Sequence, residues 1–285
     1  MPTLYREFTQ QSELDAQYNA GAAVPDYPAH LARWREHSVR TRERLPHELR
    51  VPYGPTLAET LDIFPAEKPD APVHVFIHGG YWRALAAEDF SFVAAGPRER
   101  GFCTVSVNYA LCPWVSIEEI VRQVRASLAW VHRNIERWGG NPERIAVSGH
   151  SAGGHLTGMA LATSWREQYG LPDDLIKAAL PISGLFDLRP LRHSYLQPVL
   201  QLDEGAVQRQ SPLLQLPTRA TPTLVAWGEA ESSEFARQSN AYADALAGIG
   251  SQVDRLPVPK AHHFTVLDGF EDAHSSLCNW LATAL

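Results

Sequence analysis

The sequence contains few cysteines and no long apolar segment. Three of its 285 residues are cysteine, namely Cys103, Cys112 and Cys278, an odd number without a close C-x-x-C pair. This pattern excludes a disulfide framework and a cysteine-based zinc site. Cys103 and Cys278 lie in apolar strand and helix patterns, so we expect both to be small core residues. No stretch approaches the roughly 18 consecutive apolar residues that a transmembrane helix needs.

An excess of basic residues is also absent. The formal net charge is −7, which argues against a general affinity for nucleic acid or for an anionic membrane. The arginines between Arg40 and Arg44 are interrupted by Glu43, a pattern typical of a solvated helix face. The segment Met1–Glu7 lacks the apolar run of a signal peptide. We therefore expect a cytoplasmic protein that binds neither nucleic acid nor membrane, whereas a homodimer stays open.

From about residue 50 onward, short apolar runs alternate with amphipathic segments. This alternation predicts an α/β fold with a mostly parallel central sheet flanked by helices. Runs rich in β-branched residues predict strands, and segments with helical periodicity predict helices. The predicted strands are 73–77, 102–107, 144–147, 178–182, 223–227 and 253–256, and the predicted helices are 116–138, 152–162, 232–246 and 264–281.

The chain length is compatible with one α/β domain over residues 1–285. Residues 1–50 are polar and mostly helical in pattern, with breaks at Pro25 and Pro28, and we expect an N-terminal arm packed on the main body. Residues 185–218 contain four prolines and interrupt the alternation. We expect this segment to be a short cap insertion over the carboxyl ends of the strands, where α/β proteins place their sites.

A serine lies at a predicted strand-to-helix turn. Gly149-His150-Ser151-Ala152-Gly153 follows the predicted strand 144–147 and opens the predicted helix from Ala152. A sharp turn of this kind lifts a serine hydroxyl above the sheet, and flanking glycines allow backbone and helix to come close together. The alternative is a glycine-rich turn with an idle serine. The context favours Ser151 as a nucleophile.

The segment His78-Gly79-Gly80-Tyr81-Trp82 follows the predicted strand 73–77. A loop at this place can direct backbone N–H groups at an oxygen that becomes negative during acyl transfer, together with the N–H of the residue after the nucleophile. We therefore expect Gly80, Tyr81 and Ala152 to be the oxyanion donors.

The general base is expected late in the chain, where His262 and His263 are adjacent. Paired histidines also occur in metal sites, but no acidic or cysteine partner stands at ligand spacing, so we expect no metal and no cofactor. An acid that orients the base should stand at the carboxyl end of a strand. Position alone leaves four candidates, which are Asp187, Glu229, Glu231 and Glu234.

The sequence resembles the kynurenine formamidase (arylformamidase) branch of the α/β hydrolases, a neighbour of the hormone-sensitive-lipase-like esterases. The esterases usually carry a third glycine where this chain has Tyr81. The resemblance rests on segments spread over most of the chain, which are 17–19, 78–82, 107–109, 149–156, 183–188, 231–239 and 263–264. It implies the α/β-hydrolase fold.

The resemblance also implies roles for individual residues. The family's acid precedes a Ser-Pro-Glu-Phe-like segment, a place that Glu231 takes here, although the family more commonly has Asp. The family's base stands directly before Phe, which favours His263 over His262. The implied reaction is hydrolysis of N-formyl-kynurenine, an aryl formamide, to formate and kynurenine.

Bulky side chains beside the oxyanion loop suggest how a small acyl group is selected. Tyr81 and Trp82 would narrow the acyl pocket, and Phe186 and Tyr195 would hold an aromatic leaving group. The expected substrate is a small aromatic amide or ester. A short-chain carboxylesterase would use the same catalytic residues, and a non-catalytic binding protein of this fold is a further alternative.

Overall fold

A central sheet of eight strands organises the protein, whose computed structural model describes residues 3–285. Met1 and Pro2, which begin the segment without an apolar run, lie outside the described residues. The strands are β1 (Glu48–Pro52), β2 (Thr60–Phe64), β3 (Ala71–Ile77), β4 (Cys103–Val107), β5 (Gly140–His150), β6 (Ala178–Ile182), β7 (Thr223–Gly228) and β8 (Val253–Val258). Their order in the sheet is β1-β2-β4-β3-β5-β6-β7-β8.

The six strands β3 to β8 are parallel, which confirms the predicted mostly parallel sheet. Their central members are buried on both faces and therefore appear in the sequence as continuous apolar runs. Within β3, Val75 and Phe76 belong to separate apolar clusters, because successive side chains point to opposite faces. Strands β1 and β2 are antiparallel and were not predicted. Four of the five β1 residues are exposed, so β1 has no apolar run.

Helices cover both faces of the sheet. The helix Ile117–Asn134 begins where Ser116 Oγ accepts the backbone N–H of Glu119, and a 3₁₀ turn over Ile135–Trp138 follows it. The helices are α1 (Gln11–Tyr18), α2 (Ala20–Ala23), α3 (Tyr27–Arg44), α4 (Ala95–Glu99), α5 (Ile117–Asn134), α6 (Ala152–Leu161), α7 (Trp165–Tyr169), α8 (Gln197–Leu200), α9 (Glu204–Gln210), α10 (Ser233–Gly248) and α11 (Ser276–Ala284).

The helix predicted over 264–281 is wrong as a single element. The structure has a 3₁₀ helix at Thr265–Glu271 and then α11. Ser275 separates the two, because its Oγ accepts the backbone N–H of Cys278 and donates to the carbonyl of Gly269 at 2.5 Å. A side chain that bonds to the nearby backbone in this way starts a new helix instead of continuing the old one. Cys103, Cys112 and Cys278 are all buried and free.

Helices α1 to α3 form the N-terminal arm, defined here as residues 3–44. Tyr18 is fully buried, and its hydroxyl donates to Glu234 Oε2 at 2.6 Å and accepts from Gln238 Nε2 at 2.9 Å. The Tyr5 hydroxyl donates to Asp187 Oδ2 at 2.8 Å. Polar contacts thus fix the arm to α10 and to the segment after β6.

Residues 185–218 hold a 3₁₀ helix at Arg189–His193 followed by α8 and α9. The division of the chain into one domain with an arm and a cap stays a prediction. No helix within residues 3–285 is both long and apolar enough to cross a membrane.

Replacing Tyr18 by Phe should loosen the arm. Burial raises the pKa of Tyr18, so its hydroxyl stays protonated and donates to the buried Glu234 carboxylate. Loss of this bond should lower the free energy of unfolding by about 1–3 kcal/mol in urea denaturation. Tyr27→Phe is the control, because the Tyr27 hydroxyl bonds to no residue in the range 3–285. Equal effects of the two substitutions would contradict this account.

Candidate functional site

Ser151 lies at the apex of the turn between β5 and α6. Its backbone angles are φ 58° and ψ −115°, a conformation that is costly for a residue with a side chain and that persists only where the surrounding structure holds it. The backbone N–H of Ser151 donates to the carbonyl of Ile182 at 2.8 Å and so ties the turn to the end of β6. Ala152 is the first residue of α6, where backbone N–H groups have no acceptor in a preceding helical turn.

The glycines on either side of this turn are required by close backbone contacts. A Cβ on Gly149 would lie 2.2 Å from the carbonyl oxygen of Gly153, and one on Gly153 would lie 1.9 Å from that of Ile77. These distances are far shorter than any real Cβ contact, so α6 can approach β3 and β5 only with glycine at both positions. The predicted strand-turn-helix arrangement is confirmed.

The loop after β3 lies against the nucleophile turn. A Cβ on Gly79 would meet the carbonyl oxygen of His150 at 2.8 Å. Gly80 has a φ of 112°, Tyr81 has a φ of 50°, and the carbonyl of Gly80 accepts the N–H of Arg83 at 3.0 Å. Within residues 3–285, the backbone N–H groups of Gly80 and Tyr81 donate to no acceptor. Two N–H groups beside Ser151 are therefore available to a negatively charged oxygen.

His78 stabilises this loop through its contacts with Tyr109. Its ring stacks on Tyr109 with centroids 4.1 Å apart, and the Tyr109 hydroxyl donates to the His78 carbonyl at 2.7 Å. Burial lowers the pKa of His78 to about 4, so the ring stays neutral. His78 is a packing residue of the loop.

Glu231 and His263 form a buried carboxylate–imidazole pair. Glu231 Oε2 lies 2.8 Å from His263 Nδ1, and the two side chains are 1% and 8% exposed. The other oxygen, Glu231 Oε1, accepts the backbone N–H of Gly228 at 2.7 Å and the hydroxyl of Ser183 at 2.5 Å. A buried carboxylate needs such partners to remain charged. The pair has the geometry of a base oriented by an acid.

The other candidate acids have different partners. Glu229 is exposed, Glu234 pairs with Arg237 and Tyr18, and Asp187 pairs with Arg189 and Tyr5. Burial alone would raise the pKa of Asp187, but the hydrogen bonds from Arg189 and Tyr5 hold it below its usual value. Neither Asp187 nor Glu234 contacts a histidine. Each instead accepts a tyrosine hydroxyl of the arm and so holds the arm in place.

His262 points away from this pair. Its Nδ1 accepts the backbone N–H of Phe264 at 3.2 Å, and its ring packs edge-on against His30 at 4.6 Å. Burial and the neighbouring His30 lower the pKa of His262. Of the two adjacent histidines, His263 is the one that meets an acid.

A cavity of about 460 Å³ joins these parts. Ser151, His263, Gly80 and Tyr81 line one side. Within residues 3–285, no hydrogen bond joins Ser151 to His263, a contact that in hydrolases often tightens only around bound substrate. The rest of the lining is largely apolar and aromatic, and much of it comes from the arm. The arm contributes Asn19, Ala20, Gly21, Ala22, Tyr27, Leu31 and Trp34, and later segments contribute Leu85, Phe90, Tyr195 and Phe264.

Two of the three predicted substrate contacts are corrected by the structure. Trp82 is fully buried, and its indole N–H donates to His155 Nδ1 at 3.3 Å. Phe186 is fully buried and stacks on Tyr242 at 4.1 Å. Both are core residues and neither lines the cavity. Tyr195 does line the cavity, as expected.

Several cavity residues were not predicted. His150 is buried, with its ring 4.5 Å from that of His263, and neither of its ring nitrogens has a partner within residues 3–285. Burial lowers its pKa well below the usual value, so the ring is neutral. The signal was its place directly before Ser151. Tyr27, Trp34 and Arg83 carried no signal, because nothing in the arm's polar sequence or in the loop indicates which side chains face the cavity.

No group of three or more histidine, cysteine or acidic side chains within residues 3–285 has the arrangement of a metal site.

The sequence profile of the BD-FAE family matches residues 61–246. Kynurenine formamidase of Danio rerio is 30% identical to this chain over 96% of the chain and 94% of its own length. The chain belongs to the kynurenine formamidase-like α/β hydrolases. It is therefore a hydrolase, which confirms the predicted family, fold and enzyme class.

Two further proteins similar to this formamidase-like chain are named for ester hydrolysis. A candidate thioesterase from Silicibacter sp. has a solved structure with a TM-score of 0.84 and 30% identity, and the match covers 94% of this chain and 98% of that one. Esterase LipQ of Mycobacterium tuberculosis is 28% identical over 75% of this chain and 56% of its own length. Proteins similar to this chain are thus named for amide and for ester hydrolysis.

Replacing Gly153 by Ala should disrupt the nucleophile turn. The new methyl group would overlap the Ile77 carbonyl, so we expect the free energy of unfolding to fall by at least about 1–3 kcal/mol, together with loss of activity. Gly248→Ala in α10 is the matched control, because a Cβ there meets no atom within 4 Å and alanine favours a helix by up to about 1 kcal/mol. A Gly153→Ala protein as stable as the wild type in urea denaturation would refute the proposed contact.

Proposed function

We propose that this hydrolase cleaves an aryl formamide such as N-formyl-kynurenine to formate and the arylamine through an acyl-enzyme on Ser151. The observation that carries the proposal is the Glu231–His263 pair, which lies with the strained Ser151 turn at one aromatic cavity. The relative named kynurenine formamidase supports this choice of substrate. A cytoplasmic location and a homodimer stay predictions.

In this proposal Ser151 is the nucleophile, His263 the general base and Glu231 the acid that orients it. Glu231 accepts from Nδ1 of His263, and this fixes the tautomer with the proton on Nδ1. The unprotonated Nε2 can then accept the proton of Ser151. Because Glu231 is itself held by Gly228 and Ser183, the imidazole keeps one orientation.

The reaction has two halves. Ser151 Oγ attacks the formyl carbon while His263 takes the hydroxyl proton, and the carbonyl oxygen becomes an oxyanion bound by the N–H groups of Gly80, Tyr81 and Ala152. His263 then protonates the leaving nitrogen and the arylamine departs. In the second half, water gives a proton to His263 and its oxygen attacks the formyl carbon. The bond between that carbon and Ser151 Oγ then breaks, His263 returns its proton to Oγ, and the formic acid formed ionises to formate.

The cavity supports a small acyl group and an aromatic leaving group. Tyr81 lines it beside the proposed oxyanion donors, and its hydroxyl donates to the carbonyl of Tyr18, so this side chain is held in place by the arm. Tyr27, Trp34 and Phe264 offer aromatic surface for the leaving arylamine. Because Trp82 lies in the core, Tyr81 is the member of this pair that can narrow the acyl side.

A short-chain carboxylesterase is the second candidate. The similarity to Esterase LipQ favours it, and an ester would use the same nucleophile, base and oxyanion donors. The two reactions differ in the leaving group. An arylamine must receive a proton from His263 as it leaves, whereas a phenolate can leave without one.

Substitution of the proposed catalytic residues should lower activity far more than substitution of their neighbours in the sequence. Ser151→Ala should lower kcat by about 10⁶-fold and Glu231→Gln by about 10⁴-fold. Glu229→Gln is the control for the acid, because Glu229 is exposed, and it should stay near wild type. His263→Ala should be far more damaging than His262→Ala. A chelator should leave the rate unchanged; inhibition by EDTA that a divalent ion reverses would reject this mechanism.

Substrate preference tests the proposed function directly. We expect kcat/KM to fall from p-nitrophenyl acetate to butyrate to octanoate, because each methylene that meets Tyr81 changes the barrier by about 1–3 kcal/mol. N-formyl-kynurenine should be hydrolysed at least as well as the acetate ester. If octanoate is the best ester and N-formyl-kynurenine is untouched, the esterase alternative replaces the formamidase.

A further inference from the structure

The aromatic cavity contains one permanent charge. Among the described residues that line it, Arg83 is the one arginine, and no lysine, aspartate or glutamate accompanies it. The remaining lining side chains are apolar, aromatic or neutral polar, apart from the two titratable histidines. A single positive charge in such a cavity favours ligands that carry a negative charge.

The structure keeps Arg83 in place without neutralising it. Its backbone N–H donates to Gly80, which fixes its position in the oxyanion loop, and its guanidinium carbon lies 5.6 Å from the ring centroid of Tyr195. Arg189 and Arg237 form ion pairs with Asp187 and Glu234, whereas Arg83 forms none with any residue from 3 to 285.

The carboxylate bonded to the backbone of Tyr195 is already engaged. Asp15 Oδ1 accepts the backbone N–H of Tyr195 at 2.7 Å, and its Oδ2 accepts from Gln11 at 3.3 Å. Asp15 therefore fixes the backbone of Tyr195 and, among residues 3–285, forms no ion pair with Arg83.

We propose that Arg83 binds the carboxylate of the substrate, so that the enzyme selects aryl formamides whose leaving group is anionic. A guanidinium presents two parallel N–H groups to a carboxylate, and stacking on Tyr195 reduces the freedom lost when it binds. The inference rests on the proposed function, because N-formyl-kynurenine carries its carboxylate on the side chain of the leaving arylamine. The formyl group then lies at Ser151, the ring lies on aromatic surface, and the carboxylate reaches Arg83.

The test compares two formamides that share a ring and a ketone. N-formyl-kynurenine carries the amino-acid carboxylate, and N-(2-acetylphenyl)formamide lacks it. Arg83→Gln should lower the ratio of their kcat/KM values by roughly 10- to 100-fold, the effect of one charged hydrogen bond, mainly by raising KM for N-formyl-kynurenine. Arg83→Lys keeps the charge but loses the paired N–H groups, so it should restore part of the ratio.

Arg137 provides a matched control. Arg137 is exposed, as Arg83 is, and its guanidinium carbon lies 5.0 Å from the ring centroid of Trp138. It does not line the cavity. Arg137→Gln changes the net charge by the same amount and should leave the substrate ratio unchanged. Raising the ionic strength should increase KM for N-formyl-kynurenine in the wild type and have much less effect in Arg83→Gln.

The outcomes separate this inference from the proposed function. If the wild type hydrolyses both formamides and Arg83→Gln lowers both rates equally, or lowers neither, Arg83 does not recognise the carboxylate. If the wild type hydrolyses neither, the formamidase proposal fails, and the same ratio is measured with 3-acetoxybenzoate and phenyl acetate. A fall confined to the anionic ester would then support Arg83 on its own, and an unchanged ratio would reject it.

Discussion

The buried carboxylate of Glu231 is the contact on which the candidate site depends. It accepts three hydrogen bonds, from Ser183 after β6, from Gly228 at the end of β7 and from His263 after β8. Three neighbouring strand ends are thus fixed around one charge. Removing a charge from water is costly unless it gains such bonds, so the loops that carry these groups are held to one arrangement. The β5–α6 turn brings Ser151, the proposed nucleophile, to the same cavity as His263.

The N-terminal arm is part of this site although it belongs to no strand of the sheet. It supplies much of the apolar cavity lining, and the carbonyl of Tyr18 accepts from the Tyr81 side chain. The backbone of Gln17 accepts the hydroxyl of Ser232 at 2.6 Å, directly after Glu231 in the chain. The arm therefore contacts both the loop after β3 and the loop that carries Glu231.

Most of the sheet and the nucleophile turn could be predicted from the sequence, because buried parallel strands give continuous apolar runs and because Gly149 and Gly153 mark a close backbone approach. The antiparallel strand β1 could not be predicted, since its exposed residues carry no pattern. Position left four candidate acids, and only the family resemblance chose Glu231. The cavity lining was the weakest prediction: Trp82 and Phe186 are aromatic and near the site in sequence, but strand and loop direction turn them into the core.

The hydrogen bonds of Tyr18 also bear on the order in which the site forms during synthesis of the chain. Its side-chain partners, Glu234 and Gln238, follow it by 216 and 220 residues. During synthesis the Tyr18 hydroxyl has neither of these partners until α10 has left the ribosome. A nascent chain that contains Ser151 but has not yet reached Glu231 therefore lacks both the proposed acid and the proposed base. Under the proposed mechanism, hydrolysis can begin only after the ribosome has passed His263.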